Sequence, residues 1–286
     1  MKTHRPPLAA VSRLAALHIE ERTIDGYAGA IPVRLYRPDD VAALPVVLYF
    51  HGGGFTSGSL DDADTPARFI AAHCPALVVS AGYSLAPAAP FPAAPEDSHA
   101  AAVWIAAHAH DFGGDPTRLA VAGDDAGGNL ATCLTLIARD RHSVEFAAQV
   151  LLGPMLDPSM TRLGDAARLH SDITAQACAL CYRQYLPRAD QRVHPYAAPL
   201  ESLRLHGLPP ALIATAQCDV LHVEAEKYAA ALIAAGVPTQ VTRHADLTHA
   251  QLPTHTPALA EAAEFLGRRL APRTRRPRAL RTPNLG

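Results

Sequence analysis

The residue with the most informative chemistry is Asp125, at the centre of the run Gly123-Asp124-Asp125-Ala126-Gly127. Small residues at this spacing, between a predicted strand and a predicted helix, are typical of a nucleophile elbow. Such an elbow is a sharp turn that exposes one side chain at the top of a sheet. A serine in that position attacks an acyl carbon after a base removes its proton, whereas Asp125 supplies a carboxylate. The chemistry of the site therefore depends on what a carboxylate does there.

A second motif is the glycine run His51-Gly52-Gly53-Gly54-Phe55, which directly follows a predicted strand. Consecutive glycines let the backbone approach a ligand closely and turn its N–H groups inward, which is how an oxyanion hole is built. The N–H of Ala126, just after the elbow residue, would be a further donor. The alternative interpretation is that this glycine run is only a turn connecting a strand to a helix.

An acid and a histidine follow two later predicted strands. Asp219 comes after the strand at 211–215, and His249 comes after the strand at 239–243. The order reactive residue, acid, histidine is that of α/β-hydrolases, in which the acid holds the imidazole in one tautomer and stabilises its charged form. Asp219 could instead cap the following helix. His244 and His255 are expected to be structural.

The elements that must position these residues alternate along the chain. Short apolar segments, most of them rich in β-branched residues, predict strands at 18–23, 31–36, 46–50, 77–80, 119–122, 149–152, 211–215 and 239–243. Helices are predicted at 95–110, 126–139, 223–235 and 257–270. The first two strands are expected to form an antiparallel pair. This alternation predicts an α/β fold with a mainly parallel eight-stranded sheet and helices on both faces.

A long interruption separates two of the strands. Residues 155–208 contain a predicted helix at 173–186 and proline-containing loops, and insertions of this length are usually lids or binding caps. We expect a single domain over residues 1–271. A basic tail over residues 272–286 is expected to be disordered, because its prolines break any helix.

With these motifs in place, the chain resembles the hormone-sensitive-lipase group of α/β-hydrolase esterases, which carry an HGGG oxyanion motif. The resemblance extends from about Val46 to the end of the last predicted helix. It includes Tyr83–Pro87, Phe91–Ala94 and Leu208–Ala211 in addition to the motifs above. It implies an α/β-hydrolase fold with a small helical cap, formed by about residues 1–24 and 155–208, with the N-terminal part shortened.

The resemblance also implies roles for individual residues. Asp219 and His249 take the places of the acid and the base, and Asp125 takes the place of the serine. The implied oxyanion donors are Gly53, Gly54 and Ala126. The substrate contacts that we predict are His51, Gly52, Phe55, Tyr182 and Tyr185.

Several positions near the active end depart from the family pattern. Besides Asp125, the family's Asp-Tyr-Arg before Leu-Ala-Pro is Gly82-Tyr83-Ser84 in this chain. The proline after the catalytic aspartate is Val220, and the glycine after the catalytic histidine is Ala250. Clustered changes of this kind suggest drift or a new substrate.

Three hypotheses follow for the function. The first is a hydrolase of esterase lineage that acts on small esters, or on a related electrophile, through Asp125, His249 and Asp219. The second is an epoxide or alkyl-halide hydrolase in which Asp125 forms an alkyl-enzyme ester; its leaving-group donors would be Tyr182, Tyr185 and Tyr196, residues that otherwise pack the cap. The third is a pseudo-hydrolase, or an engineered nucleophile variant, that binds a ligand without turnover.

Amino-acid composition limits which other classes of protein the chain can belong to. The chain is 49% hydrophobic and 18% charged, with no apolar run long enough to span a membrane and no secretion signal. Five cysteines, an odd number, fit free thiols in a reducing compartment and hence the cytoplasm. No cofactor, metal or nucleic acid is expected, and the C-x-x-C pair Cys178 and Cys181 is not taken as a metal site. The last strand and last helix often form a dimer surface in the family, so a homodimer is one option.

Overall fold

The structure is a computed structural model that describes residues 17–39 and 43–272 of the chain. Within these residues, eight strands form one sheet. The strands are β1 (Leu17–Asp25), β2 (Ala30–Pro38), β3 (Leu44–Phe50), β4 (Leu77–Ala81), β5 (Gly114–Asp124), β6 (Ala148–Leu152), β7 (Ala211–Cys218) and β8 (Thr239–Thr248). Each of the eight predicted strands is present, and most extend beyond the predicted bounds.

The sheet has the order β1-β2-β4-β3-β5-β6-β7-β8. β2 runs antiparallel to both of its neighbours, and every other adjacent pair is parallel. In the register of β3 and β5, Phe50 lies beside Gly123. The glycine run that follows β3 and the elbow that follows β5 are therefore neighbours at the carboxyl end of the sheet.

Helices cover both faces of the sheet. They are α1 (Asp64–His73), α2 (Ala93–His108), α3 (Asp125–Arg141), α4 (Ala166–Leu169), α5 (Ala175–Tyr185), α6 (His222–Ala234) and α7 (Thr256–Arg269), with short 3₁₀ turns between some of them. Alternate residues of β3 enter two separate cores. Leu48 packs in a core with residues of α2, α3 and α6, whereas Val47 packs in a core with residues of α1 and α7. Burial of both faces explains why the central strands are nearly continuous apolar runs.

The structure adds two helices that the sequence analysis did not predict, α1 and the four-residue α4 within the insertion. Helix α1 buries Pro66, Ala67, Ile70 and Ala71 against the sheet, at spacings of three and four residues. The signal was present in the sequence but weak, because three of its inward positions are alanine or proline. A prolyl residue is tolerated in the first turn of a helix, where its missing N–H has no intrahelical partner.

The predicted cap also needs one correction. Of the segment assigned to residues 1–24, residues 17–24 belong to strand β1, which pairs with β2 over its whole length. Residues 1–16 lie outside the described part of the chain, as do residues 273–286 of the predicted tail. The 155–208 insertion does contain helices, α4 and α5, and α5 corresponds to the helix predicted at 173–186.

Candidate active site

The elbow is a strained turn between β5 and α3. Asp125 is the first residue of α3 and has a φ of 51°, in the left-handed region that non-glycine residues seldom adopt. Gly127 packs directly against the backbone carbonyls of Phe50 and His51, where a Cβ would collide. Glycine at this position therefore lets the start of α3 approach the end of β3, and the turn then presents Asp125 at the top of the sheet.

The carboxylate of Asp125 is bound by the glycine run. Its Oδ2 accepts hydrogen bonds from the N–H groups of Gly53 and Gly54, both at 2.8 Å. The two glycines have φ values of 113° and 58°, which turn consecutive N–H groups towards the same point. These are the donors expected for an oxyanion hole, and a carboxylate oxygen occupies them.

His51 supports this run from behind. The side chain is almost fully buried, and its Nδ1 lies 2.7 Å from the carbonyl oxygen of Gly52, to which it donates. Its ring stacks on Tyr83 with centroids 4.4 Å apart, and the Tyr83 hydroxyl donates to the His51 carbonyl at 3.0 Å. Burial lowers the pKa of His51, so the ring is neutral at pH 7. His51 thus orders the backbone of the glycine run.

Asp219 and His249 form a hydrogen-bonded pair. His249 Nδ1 lies 2.8 Å from Oδ2 of Asp219, whose carboxylate is fully buried. The other oxygen of Asp219 accepts the backbone N–H of Leu221 at 2.9 Å and so orders the turn before α6. The N-cap position of α6 is Leu221 and has no side-chain cap, so the alternative interpretation of Asp219 as a helix cap is wrong.

The far side of the imidazole faces the elbow. His249 Nε2 lies 3.6 Å from Oδ1 of Asp125, slightly longer than a hydrogen bond. Burial alone would lower the pKa of His249, but the hydrogen bond to Asp219 and the charges of Asp219 and Asp125 raise it to about 9. The imidazole is consequently protonated at neutral pH and stands between two carboxylates.

Asp124 is a site residue that the sequence analysis did not single out. Its side chain lines the same pocket as Asp125, and its Oδ1 accepts a hydrogen bond from the Tyr49 hydroxyl at 2.8 Å. Burial, together with the neighbouring charge of Asp125, raises the pKa of Asp124 to about 7. The adjacent pair of aspartates in the elbow was the available signal, because two carboxylates on one turn disfavour simultaneous ionisation.

These groups open into a pocket of about 700 Å³. Its walls combine the glycine run, the elbow and His249 with side chains of the 155–208 insertion, namely Met155, Ile173, Ala177, Cys178 and Cys181. The insertion thus forms a wall of the pocket. Cys178 and Cys181, the C-x-x-C pair of the sequence analysis, lie one turn apart on α5.

Of the five predicted substrate contacts, Gly52 lines this pocket, whereas His51, Phe55, Tyr182 and Tyr185 do not. Phe55, Tyr182 and Tyr185 are buried against one another, with the rings of Phe55 and Tyr185 stacked 3.9 Å apart. The hydroxyl of Tyr196 donates to Asp140 at 3.0 Å. The structure therefore brings together Asp125, the glycines and the Asp219–His249 pair, whereas the aromatic residues lie outside the pocket lining.

Neither a metal site nor a membrane-spanning helix is found among the described residues. Among them, no group of three or more His, Cys, Asp or Glu side chains is arranged to hold a metal ion. None of the helices in this part of the chain combines the length and the apolar character needed to cross a membrane.

Comparison with known proteins identifies the class to which this arrangement belongs. The model of a family with the α/β-hydrolase fold matches residues 47–252. The chain therefore belongs to the α/β-hydrolase family, and it is a hydrolase of the carboxylic-ester type by descent.

Individual relatives agree with this assignment. Carboxylesterase NlhH of Mycobacterium tuberculosis is 41% identical over 266 residues, which cover 90% of this chain and 82% of the relative. The solved structure of a hyperthermophilic esterase from Pyrobaculum calidifontis is 36% identical and superposes with a TM-score of 0.83, covering 91% of this chain and 87% of the other. EstE1, a thermostable carboxylesterase from a metagenomic library, is 34% identical with a TM-score of 0.85, covering 92% and 95%.

Proposed function

We propose that this protein hydrolyses small carboxylic esters with Asp125 as nucleophile, His249 as proton donor and acceptor, and Asp219 as the acid that orients His249. The N–H groups of Gly53, Gly54 and Ala126 are the proposed oxyanion donors. The observation that carries the proposal is the alignment of Asp219, His249 and Asp125: Asp219 is hydrogen-bonded to His249, whose other nitrogen faces Asp125 at 3.6 Å. Two inward-facing glycine N–H groups lie beside them. The esterase names of the relatives support the substrate class.

The protonation of His249 suits a carboxylate nucleophile. Asp125 has no proton to surrender, so the first step needs an acid at His249 and not a base. In that step a carboxylate oxygen of Asp125 attacks the acyl carbon, the ester C–O bond breaks, and His249 donates its proton to the departing alkoxide. The product is a mixed anhydride between the acyl group and Asp125.

The second step clears the anhydride. His249, now neutral, takes a proton from water, and the resulting hydroxide attacks the acyl carbonyl. The anhydride C–O bond breaks, which releases the carboxylic acid and regenerates the Asp125 carboxylate and the protonated His249. Atoms and charges balance over the two steps, and no group beyond ester and water is consumed.

The same geometry implies that ester turnover is slow. Oδ2 of Asp125 must leave Gly53 and Gly54 before a substrate carbonyl can use their N–H groups. Hydrogen bonds to a charged group contribute about 1.5–3 kcal/mol each, so losing both slows the reaction by roughly a hundredfold to ten-thousandfold. A serine at position 125 lacks the second oxygen and would leave the donors free.

One assay series tests the proposal. Wild type, Asp125→Ser and Asp125→Asn are compared on p-nitrophenyl acetate and butyrate, and intact mass is recorded under substrate excess. We expect slow turnover by wild type, a transient acyl adduct on Asp125, no turnover by Asp125→Asn, and faster turnover by Asp125→Ser. Equal rates for wild type and Asp125→Asn would exclude Asp125 as the nucleophile.

A second candidate is a pseudo-hydrolase that binds acyl ligands without turnover. The observation that favours it is the same pair of hydrogen bonds, since a carboxylate held by two donors closes the oxyanion hole. Ester hydrolysis by Asp125→Ser alone, with binding of a non-hydrolysable ester analogue by wild type, is the result that would support this candidate over the first.

The epoxide and alkyl-halide hypothesis has less support. It requires donors for the departing oxygen or halide, and the tyrosines considered for that role lie away from the pocket. Styrene oxide therefore serves as a negative control in the assay series, and turnover of it that is lost in Asp125→Asn would revive the hypothesis.

The family resemblance extends the proposal to acyl length, assembly and location. We propose a preference for short acyl or small cyclic groups over acyl chains longer than about eight carbons, a limit that rests on cap size alone. We also propose a homodimer through β8 and α7, and a cytoplasmic location consistent with five free thiols.

A further inference from the structure

Asp172 connects the cap to the loop that carries the histidine. It lies between α4 and α5, and its two carboxylate oxygens accept two consecutive backbone N–H groups. Oδ1 accepts the N–H of His249 at 3.0 Å, and Oδ2 accepts the N–H of Ala250 at 3.0 Å. Charge-assisted hydrogen bonds of this kind are among the stronger ones in proteins, and two of them fix both position and direction.

The contact with Asp172 lies where neither a helix nor a strand holds the backbone of His249. Strand β8 ends at Thr248, and His249 follows immediately. The imidazole is held at Nδ1 by Asp219, while Nε2 stands 3.6 Å from Asp125 without a tight contact. The backbone position at residues 249–250 therefore determines how the imidazole swings about its contact with Asp219.

Asp172 carries the negative charge that the contact requires. Asp172 is exposed, and the small desolvation it undergoes opposes ionisation, but hydrogen bonds from Thr248 and Ala250 and the charge of His249 lower the pKa of Asp172 below its ordinary value. The carboxylate is therefore ionised at neutral pH, and its charge adds to those of Asp219, Asp125 and Asp124 near His249.

The same segment of the cap contacts the pocket. Ile173, the neighbour of Asp172, lines the pocket together with Ala177, Cys178 and Cys181 of α5. A ligand in the pocket therefore touches the segment whose next residue holds the histidine loop.

We propose that Asp172 is a positioning residue through which the cap directs the His249 imidazole towards Asp125. This inference rests on the proposed function for its catalytic consequence, but the positioning itself does not depend on turnover. Occupation of the pocket and alignment of the histidine are then coupled by one side chain of the cap.

The test compares Asp172→Ala and Asp172→Asn with a control, Asp165→Ala. Asp165 is another cap carboxylate that accepts a backbone N–H, from Arg168 at 3.1 Å, but it bonds within its own short helix. Histidine ring signals are followed by NMR titration, and the downfield Nδ1 proton reports the bond to Asp219. Asp172→Ala should lower the pKa of His249 by about 0.5 and broaden that proton, because a nearby charge and two tethers are lost. Asp165→Ala should change neither signal.

Kinetics in the Asp125→Ser background provide the second readout. On p-nitrophenyl butyrate, Asp172→Ala should lower kcat about tenfold and leave KM within about twofold, since only the alignment of the base is lost. Asp172→Asn, which keeps one acceptor oxygen, should retain an intermediate kcat, and thermal unfolding of each variant shows whether the fold is intact.

The outcomes separate this inference from the proposed function. His249 signals in folded Asp172→Ala or Asp172→Asn that match those of Asp165→Ala would refute the positioning role, whatever the activity. Altered signals with no esterase activity in any background would support the positioning role and contradict the proposed function. Should Asp172→Ala not fold, the NMR comparison of Asp172→Asn with Asp165→Ala decides.

Discussion

At the scale of single residues, the carboxylate at position 125 changes what every neighbour must do. A serine needs a neutral imidazole to take its proton, whereas Asp125 places a negative charge 3.6 Å from His249 Nε2. With Asp219 on the other side, the imidazole lies between two acids and its pKa rises to about 9. The residue that would be a base beside serine is thus an acid beside aspartate.

A prediction follows for stability as a function of pH. The pKa of His249 is raised above the ordinary value of about 6.5, so its contribution to stability is complete below that value and is lost as pH rises towards 9. The shift corresponds to about 3 kcal/mol at most. Urea unfolding of wild type and His249→Gln at pH 6.5 and 9.5 measures it.

The expected result is a difference in unfolding free energy between the two proteins that shrinks as pH rises. Asp124 also titrates near pH 7, and its raised pKa makes the fold less stable as pH rises from the ordinary aspartate range to about 7. Comparison of wild type with His249→Gln above pH 7 isolates the histidine. A difference that stays constant between pH 7 and 9.5 would contradict the ion-pair arrangement.

At the scale of elements, helix α3 holds the elbow to the cap insertion. Residues 125–138 of this helix are buried in an unbroken run, because the helix lies between the sheet and the 155–208 insertion. Asn129, fully buried, donates from Nδ2 to the carbonyl of Met155 at 2.7 Å and to that of Ala197 at 3.1 Å. One amide thus joins the helix to both ends of the insertion.

Replacement of this amide gives the second prediction. Asn129→Ala leaves two carbonyls without their donor, and we expect a loss of about 2–4 kcal/mol in the free energy of unfolding. The control is Gln176→Ala on the exposed side of α5, which should change stability by less than about 0.5 kcal/mol. Chemical denaturation measures both, and equal effects would show that the amide does not anchor the insertion.

For the whole molecule, the relevant feature is that the described sheet has two outer strands. β1 and β8 are the outer strands, and each has one hydrogen-bonded neighbour. β8 exposes Val241, which is 42% accessible. An edge with unpaired N–H and C=O groups and an exposed apolar side chain can pair with a second copy.

The dimer proposal therefore yields a third prediction. Sedimentation of wild type at micromolar concentration should give a dimer, and Val241→Lys should shift it to monomer, because a lysine on an edge strand opposes pairing. Val103→Lys is the matched control, since Val103 is 43% exposed but lies on α2. A monomeric wild type, or equal effects of the two lysines, would rule out the β8 edge as the interface.

Much of the fold and of the site could be predicted from the sequence, since the relevant signals are local. Eight strands, the elbow, the glycine run and the order of Asp219 and His249 each depend on a few neighbouring residues. Helix α1 escaped prediction because alanine contributes little apolar contrast to its inner face. For residues 18–23 the local pattern predicted a strand, which is confirmed, whereas the family resemblance had placed the same residues in a cap, which is wrong.

The features of the site that could not be predicted from the sequence depend on long-range contacts. Asp172 is separated by 77 residues from the N–H that it accepts, and no local pattern marks such a partner. Tyr182 and Tyr185 could have faced the pocket or the core, because α5 has apolar residues on more than one side. Packing of their rings against Phe55 decided this, since burying large aromatic surfaces together is the favourable arrangement.

Which groups are available follows from the order of amino acids: a carboxylate in the elbow, glycines able to turn N–H groups inward, and an acid and a histidine after later strands. Folding places the Asp125 carboxylate on the N–H groups of Gly53 and Gly54 and puts His249 between two acids. The physical reason is that hydrogen bonds and charge interactions depend on distances of a few ångströms between loops from β3, β5, β7 and β8. Those distances are set when the parallel strands assemble and their carboxyl ends meet at one edge.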